Sequence, residues 1–136
     1  MLKGVLADVN IEGHVDFLMA VAQAAPWEGL WRELGLTYAR FSDVGLGRRA
    51  PDAEIWQLCQ REEWLLITDN RNQEGADSLE ATIRSRSEIH SLPVLTISSV
   101  PRLRHSREYA ERVVIALFDI VIDVENLRGA GRLYLP

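Results

Sequence analysis

Short apolar runs alternate along this chain with longer stretches in which apolar residues return every three or four positions. KGVLAD, residues 3–8, predicts a strand ending on Asp8, and after the NIEG turn HVDFLMAVAQAA has helical spacing. PWEGLWRELG places Trp27, Leu30, Trp31 and Leu34 one turn apart, a second helix opened by Pro26 and closed by Gly35. LTYARF predicts a second strand and FSDVGLGRRAP a loop, with Gly45 and Gly47 marking turns. DAEIWQLCQREE, after Pro51, puts Ile55, Leu58, Cys59 and Glu62 on one helical face. WLLIT is apolar throughout, as expected of a strand covered on both faces. SLEATIRSRS predicts a helix, LPVLTIS a fourth strand and SREYAERVVIALFDI a long helix, while IVIDVE and GRLYLP predict a last strand or an edge pair.

Strands alternating with helices argue for an α/β domain with a mainly parallel sheet, in which ligands collect beyond the carboxyl ends of the strands. Asp8 ends the first strand, Asp69 ends the third, and Asp52 begins the helix feeding that third strand. If strands one and three are neighbours, Asp8 and Asp69 emerge side by side, ~5 Å apart at the backbone. Carboxylates that close repel, and a hard divalent ion such as Mg²⁺ or Mn²⁺ relieves the repulsion. Asp8, Asn10, Asp69 and Asn70 could supply its oxygen ligands. The same aspartates also suit helix caps and turns, so both readings stand at this point.

Composition narrows the choice. The 136 residues, 47% of them hydrophobic, suit one domain spanning the whole chain. No run approaches the ~18 apolar residues of a membrane helix, and the start MLKGVLADVN lacks a signal-peptide pattern, so a cytoplasmic, membrane-free protein is expected. A single cysteine, Cys59, excludes an internal disulfide, and His14, His90 and His105 form no zinc spacing. The net charge is −5, yet 14 of the 15 basic residues are arginine, whose planar fork suits phosphate. Arg102, Arg104 and Arg107 cluster before the long helix, and Arg48 and Arg49 sit in the glycine-containing loop; they are candidate phosphate contacts or a solvated face.

At these residues the chain resembles the PIN domain superfamily, and within it short bacterial PIN-like proteins that open with a strand, an Asp-Glu-Asn triplet and a helix. VLADVNIEG, residues 5–13, stands for that opening. PDAEIWQLCQREEWLLITDNRN, residues 51–72, stands for the family's loop-to-helix aspartate, apolar helix, strand and threonine-led acidic cluster. The LPVLTIS strand, the long helix and a closing glycine-containing strand extend the resemblance over nearly the whole chain. It implies a three-layer sandwich, a mainly parallel central sheet flanked by helices, and a Mg²⁺- or Mn²⁺-dependent ribonuclease, such as the toxin half of a toxin–antitoxin pair. Asp8, Asp52 and Asp69 match its acidic, catalytic and metal-binding positions. Asn70 and Asp77 would complete the metal site, and Asn10, Arg48, Arg49, Thr68 and Arg71 would face phosphate or RNA.

This sequence departs from the pattern at Val9, where the triplet has Glu, and at Asn70 and Asn72, which contribute oxygen without charge. Glu54, Glu74 and Asp43 are further candidates for a restoring charge. A weakened acidic ring would bind RNA or a protein partner without cutting. A phosphoryl-accepting receiver domain needs a late lysine, and the only lysine here is Lys3. The tryptophans and the tail ENLRGAGRLYLP, with Leu127, Leu133, Tyr134 and Leu135, leave room for a homodimer interface.

Overall fold

The computed structural model describes residues 1–71 and 75–136. β1 (Gly4–Ala7) passes through a 3-10 turn at Val9–Ile11 into α1 (Glu12–Ala22) and α2 (Glu28–Glu33), which lead to β2 (Thr37–Ala39). A second 3-10 turn, Phe41–Val44, precedes α3 (Asp52–Glu62) and β3 (Trp64–Thr68). Then come α4 (Leu79–Arg86), β4 (Val94–Ile97), α5 (Arg102–His105), α6 (Arg107–Ile122), α7 (Val124–Leu127) and β5 (Arg132–Leu135). The five strands form one sheet in the order β2-β1-β3-β4-β5, parallel at every pairing.

Helices cover both faces, giving three layers. Side chains alternate along each strand. Val5, Ala7, Leu65, Ile67, Leu95 and Ile97 join α1 and α6 in one buried cluster, whereas Leu6, Leu66 and Val94 join α3 and α4 in another. Burial on both faces explains why β1, β3 and β4 lack the polar alternation of a half-exposed strand. The sheet tolerates nothing larger than glycine at position 4, where an added Cβ would lie 1.8 Å from the Thr37 carbonyl oxygen on β2.

The predicted elements form, with one exception. GRLYLP becomes β5, but IVIDVE is helical, divided between the end of α6 and α7. Val121 and Val124, three residues apart, are the buried pair in that segment, so its apolar residues follow helical spacing after all. Within the tail that suggested a dimer, Leu135 is buried in the first cluster and Leu133 packs against it, while Tyr134 stays exposed.

The connections do not all share one hand. β1 to β2 crosses on the α1 face, while β2 to β3 and β3 to β4 cross in the opposite sheet direction on the α3/α4 face, which is the same handedness. β4 to β5 continues in that second direction but returns over the α1 face with α6, giving the opposite hand. The usual preference arises in tight strand–helix–strand units; here the connection holds three helices and ends on Gly129 and Gly131, both at positive φ.

The sheet's amino-terminal edge carries an ion-pair network. Arg128 reaches Glu63 with both terminal nitrogens, 2.6 and 3.2 Å, and also bonds Glu125 and the His90 carbonyl. The Arg128 hydrogen bonds hold the Glu63 carboxyl below its ordinary value of 4.5. A lowered pKa contributes stability that is present above the unfolded value and lost as pH falls through the folded one. Arg128→Ala is therefore expected to cost about 1 kcal/mol at neutral pH and progressively less under acid. Urea titrations at pH 7 and about pH 3 check this, and an equal cost at both would refute it.

Candidate functional site

The strand order changes direction between β1 and β3, since the chain runs from β1 outward to β2 and then returns past β1 to β3. At such a switch point the loops leaving the two strands diverge and open a crevice at their carboxyl ends. Asp8 and Thr68 lie there. The register pairs Ala7 with Ile67, and the Asp8 amide donates to the Ile67 carbonyl at 2.9 Å. Thr68, not Asp69, is thus the residue facing Asp8, which corrects the expected side-by-side pair of aspartates.

Asp8 is 8% exposed, and both its oxygens are engaged. Oδ2 accepts from the Thr68 hydroxyl at 2.6 Å, and Oδ1 accepts from the Asn10 amide at 3.2 Å, capping the 3-10 turn. Thr68 in turn accepts from the Asn70 amide at 2.9 Å. The Asn70 side-chain amide donates towards Asp52 at 3.4 Å. A continuous path, Asp8–Thr68–Asn70–Asp52, joins the ends of two strands to the start of α3. Asp52 is the first residue of that helix but makes no capping bond; its side chain turns to Asn70, where the helix dipole favours a carboxylate.

Burial raises the Asp8 pKa above 3.8, the Thr68 and Asn10 hydrogen bonds oppose that rise, and the charges of Asp69 and Asp52 add to it. Both other predicted acids therefore act on Asp8 electrically. Asp69 is exposed.

Arg132 is a residue of the candidate site that the sequence did not disclose. From the start of β5 its guanidinium runs beneath the site, with its side chain 7% exposed. Nη1 donates to the Asn70 carbonyl at 2.9 Å and to the Thr96 hydroxyl at 2.6 Å, while Nη2 lies 3.5 Å from Glu80 and makes no hydrogen bond among the described residues. Thr96 pairs with Thr68 across β3 and β4, and both are fully buried. A polar row thus crosses the otherwise apolar α3/α4 face from Asp8 to Arg132.

The remaining candidates divide. Thr68 is buried and orients Asp8, so it offers no surface to RNA. Arg71 donates through Nη2 to the Ile97 and Ser98 carbonyls and stacks on Tyr134, tying the β3 exit to β4 and β5. Asn10, Arg48 and Arg49 are exposed in the loops after β1 and β2. Asp77 is exposed beside Pro51 and Ala53; the helix cap at α4 is Ser78, whose Oγ accepts from the Ala81 amide. Asp43 accepts from the Arg40 amide, a turn role. Glu54 is exposed on the first turn of α3, and Asn72 and Glu74 lie outside the described residues.

The donors suit a hard divalent ion in kind, because a buried carboxylate with raised pKa, two flanking acids and an amide share one crevice. They fall short in number: among the described residues no three His, Cys, Asp or Glu side chains are grouped to hold a metal. No helix among the described residues is long and apolar enough to cross a membrane. Comparison with protein-family models, with curated proteins and with solved structures found no match to the chain.

Proposed function

We propose that the chain is a Mg²⁺- or Mn²⁺-dependent ribonuclease of PIN-like type, hydrolysing RNA phosphodiester bonds at the β1/β3 crevice. The observation that carries this reading is Asp8, an acid buried at the switch point of a parallel sheet and pressed towards protonation by burial and by two neighbouring acids. Its two hydrogen bonds oppose the cost of burial without cancelling it, and a cation is the ligand that would relieve the remainder. Such an ion supplies an acidified water and neutralises the scissile phosphate.

The protein's part is placement. Thr68 and the Asn10 amide fix the Asp8 carboxylate, leaving each oxygen a further lone pair. Asp52 and Asp69 approach from the helix start and the β3 exit, and Asn70 links the two sides. The setting in this proposal is cytoplasmic, with RNA as substrate and an antitoxin or other protein as partner.

The shortage of grouped acids among the described residues favours a second reading, a PIN-like module that holds RNA or a protein without cutting it. Calorimetric titration of Mn²⁺ and Mg²⁺ into the wild type, Asp52→Asn and Asp69→Asn, with RNA cleavage in the same buffers, separates the two. Under the nuclease reading both variants bind metal about tenfold or more weakly and lose cleavage in proportion. Absence of binding at millimolar metal would remove it in favour of the second.

A further inference from the structure

Cations pair with acids at both edges of the sheet, Arg40 at the end of β2 with Glu12 and Asp16 among them, but three arginines at the carboxyl edge do not. At the amino-terminal edge Lys3, Arg61 and Arg128 each pair with Glu62, Glu63 or Glu125. At the carboxyl edge Arg48 and Arg49, in the loop after β2, and Arg102, after β4, are exposed and make no ion pair among the described residues. Arg102 is held by stacking, its guanidinium 4.4 Å from the buried Tyr109 ring. Stacking spends the flat face of a guanidinium and leaves its N–H edge for an anion.

These free charges stand on both sides of the acidic crevice. β2 and β4 are three strand spacings apart, ~14 Å, with Asp8 between them. One strand beyond β4, Tyr134, at the end of β5, is 57% exposed although it is a large aromatic, and the Arg71 guanidinium lies 5.6 Å from its ring. Cations along an edge with an exposed aromatic beside them are what a single-stranded polynucleotide needs: fork donors for phosphates and a face on which a base stacks.

We propose that single-stranded RNA lies along the carboxyl edge of the sheet, its phosphates met by Arg48 and Arg49 on one side of Asp8 and by Arg102 on the other, with a base stacked on Tyr134. The track rests on the ribonuclease reading for the choice of RNA, but its residues lie outside the acidic centre, so the two are separable. It also explains how a chain of net charge −5 receives a polyanion: the attraction is local to one edge.

The test is fluorescence anisotropy of an unstructured RNA of about 12 nucleotides with the full chain in EDTA, across a salt series. The Arg48→Ser/Arg49→Ser pair and Arg102→Gln are each expected to weaken binding several-fold and to lower the log–log salt slope by about 0.7 per arginine. Tyr134→Ala is expected to weaken binding about fivefold or more with the slope unchanged. Arg61→Gln, on the opposite edge, should bind as the wild type does. No binding at low salt, wild-type binding by the edge variants, or an equal loss in Arg61→Gln would overturn the track. Arginine-dependent binding without cleavage in Mn²⁺ would keep the track and remove the nuclease reading. Cleavage indifferent to these arginines would do the reverse.

Discussion

Asp8→Asn is expected to give a protein that melts higher than the wild type at neutral pH and no longer responds to divalent cations. The carboxylate is nearly enclosed, and its pKa is raised by burial first and by Asp69 and Asp52 next. The folded state therefore holds the Asp8 proton more tightly than the unfolded chain. Stability falls as pH climbs from about 3.8 through the raised value and stays lowered above it. Asparagine removes that loss while keeping an oxygen for the Asn10 amide, and the Thr68 hydroxyl can turn to meet the new amide. The expected gain is about 1 kcal/mol, ~3 °C in melting temperature, absent in acid, developing as pH passes through the raised value and level above it. Saturating Mn²⁺ should raise the wild type further, by about 2.7 kcal/mol at a hundred times the dissociation constant, and leave the variant unmoved. Thermal melts with and without Mn²⁺ across pH decide the matter; a destabilised variant that still gains from metal would make Asp8 purely structural.

Arg132→Ala is expected to be the more damaging substitution to the fold, at about 3–5 kcal/mol. It removes more than a charge. The Asn70 carbonyl and the fully buried Thr96 hydroxyl each lose a donor, and Glu80, 16% exposed at its side chain, loses a cation. Replacing Arg132 by Met and Glu80 by Leu together should cost clearly less than Arg132→Ala, because the pair is then exchanged for apolar volume rather than broken. Chemical denaturation of the single and double variants measures the difference. A loss below about 1 kcal/mol in Arg132→Ala would mean that water reaches these groups and that the buried row is not held by the guanidinium.

The layered parallel fold was legible because its signal is periodic. Four-residue and five-residue apolar runs such as VLTI and WLLIT, separated by stretches of helical spacing, leave few arrangements other than a sheet covered on both sides. Asp8 and the β3 end were legible for the same reason, since strand ends are where such sheets expose polar groups. Register was not. One residue decides whether Asp69 or Thr68 confronts Asp8, and a run of apolar residues looks alike in either setting. IVIDVE misled because a short β-branched run reads as a strand until the helix before it is known to continue. Arg132 was invisible: a lone arginine opening an apparent edge strand looks solvated, and the partners that bury it, Asn70, Glu80 and Thr96, are distant in sequence. The one available hint was that RLYL follows a glycine-rich turn with its arginine in phase with Tyr134, a weak cue on an edge strand.

The odd hand of the β4 to β5 connection bears on the order in which the molecule assembles. A strand that comes round the α1 face is expected to settle after α6 has packed there, so that β5 joins a sheet already formed. It brings Arg132 with it, across 62 residues to Asn70, just as the Asp8–Thr68 contact spans 60. Long-range closures of this kind are slow relative to helix formation. On the ribosome the acidic crevice would take shape when β3 emerges, yet the guanidinium that secures its rim arrives only with β5. During that interval a nascent chain would carry the acids without the guanidinium beneath them, and the crevice is expected to be completed only when β5 joins the sheet.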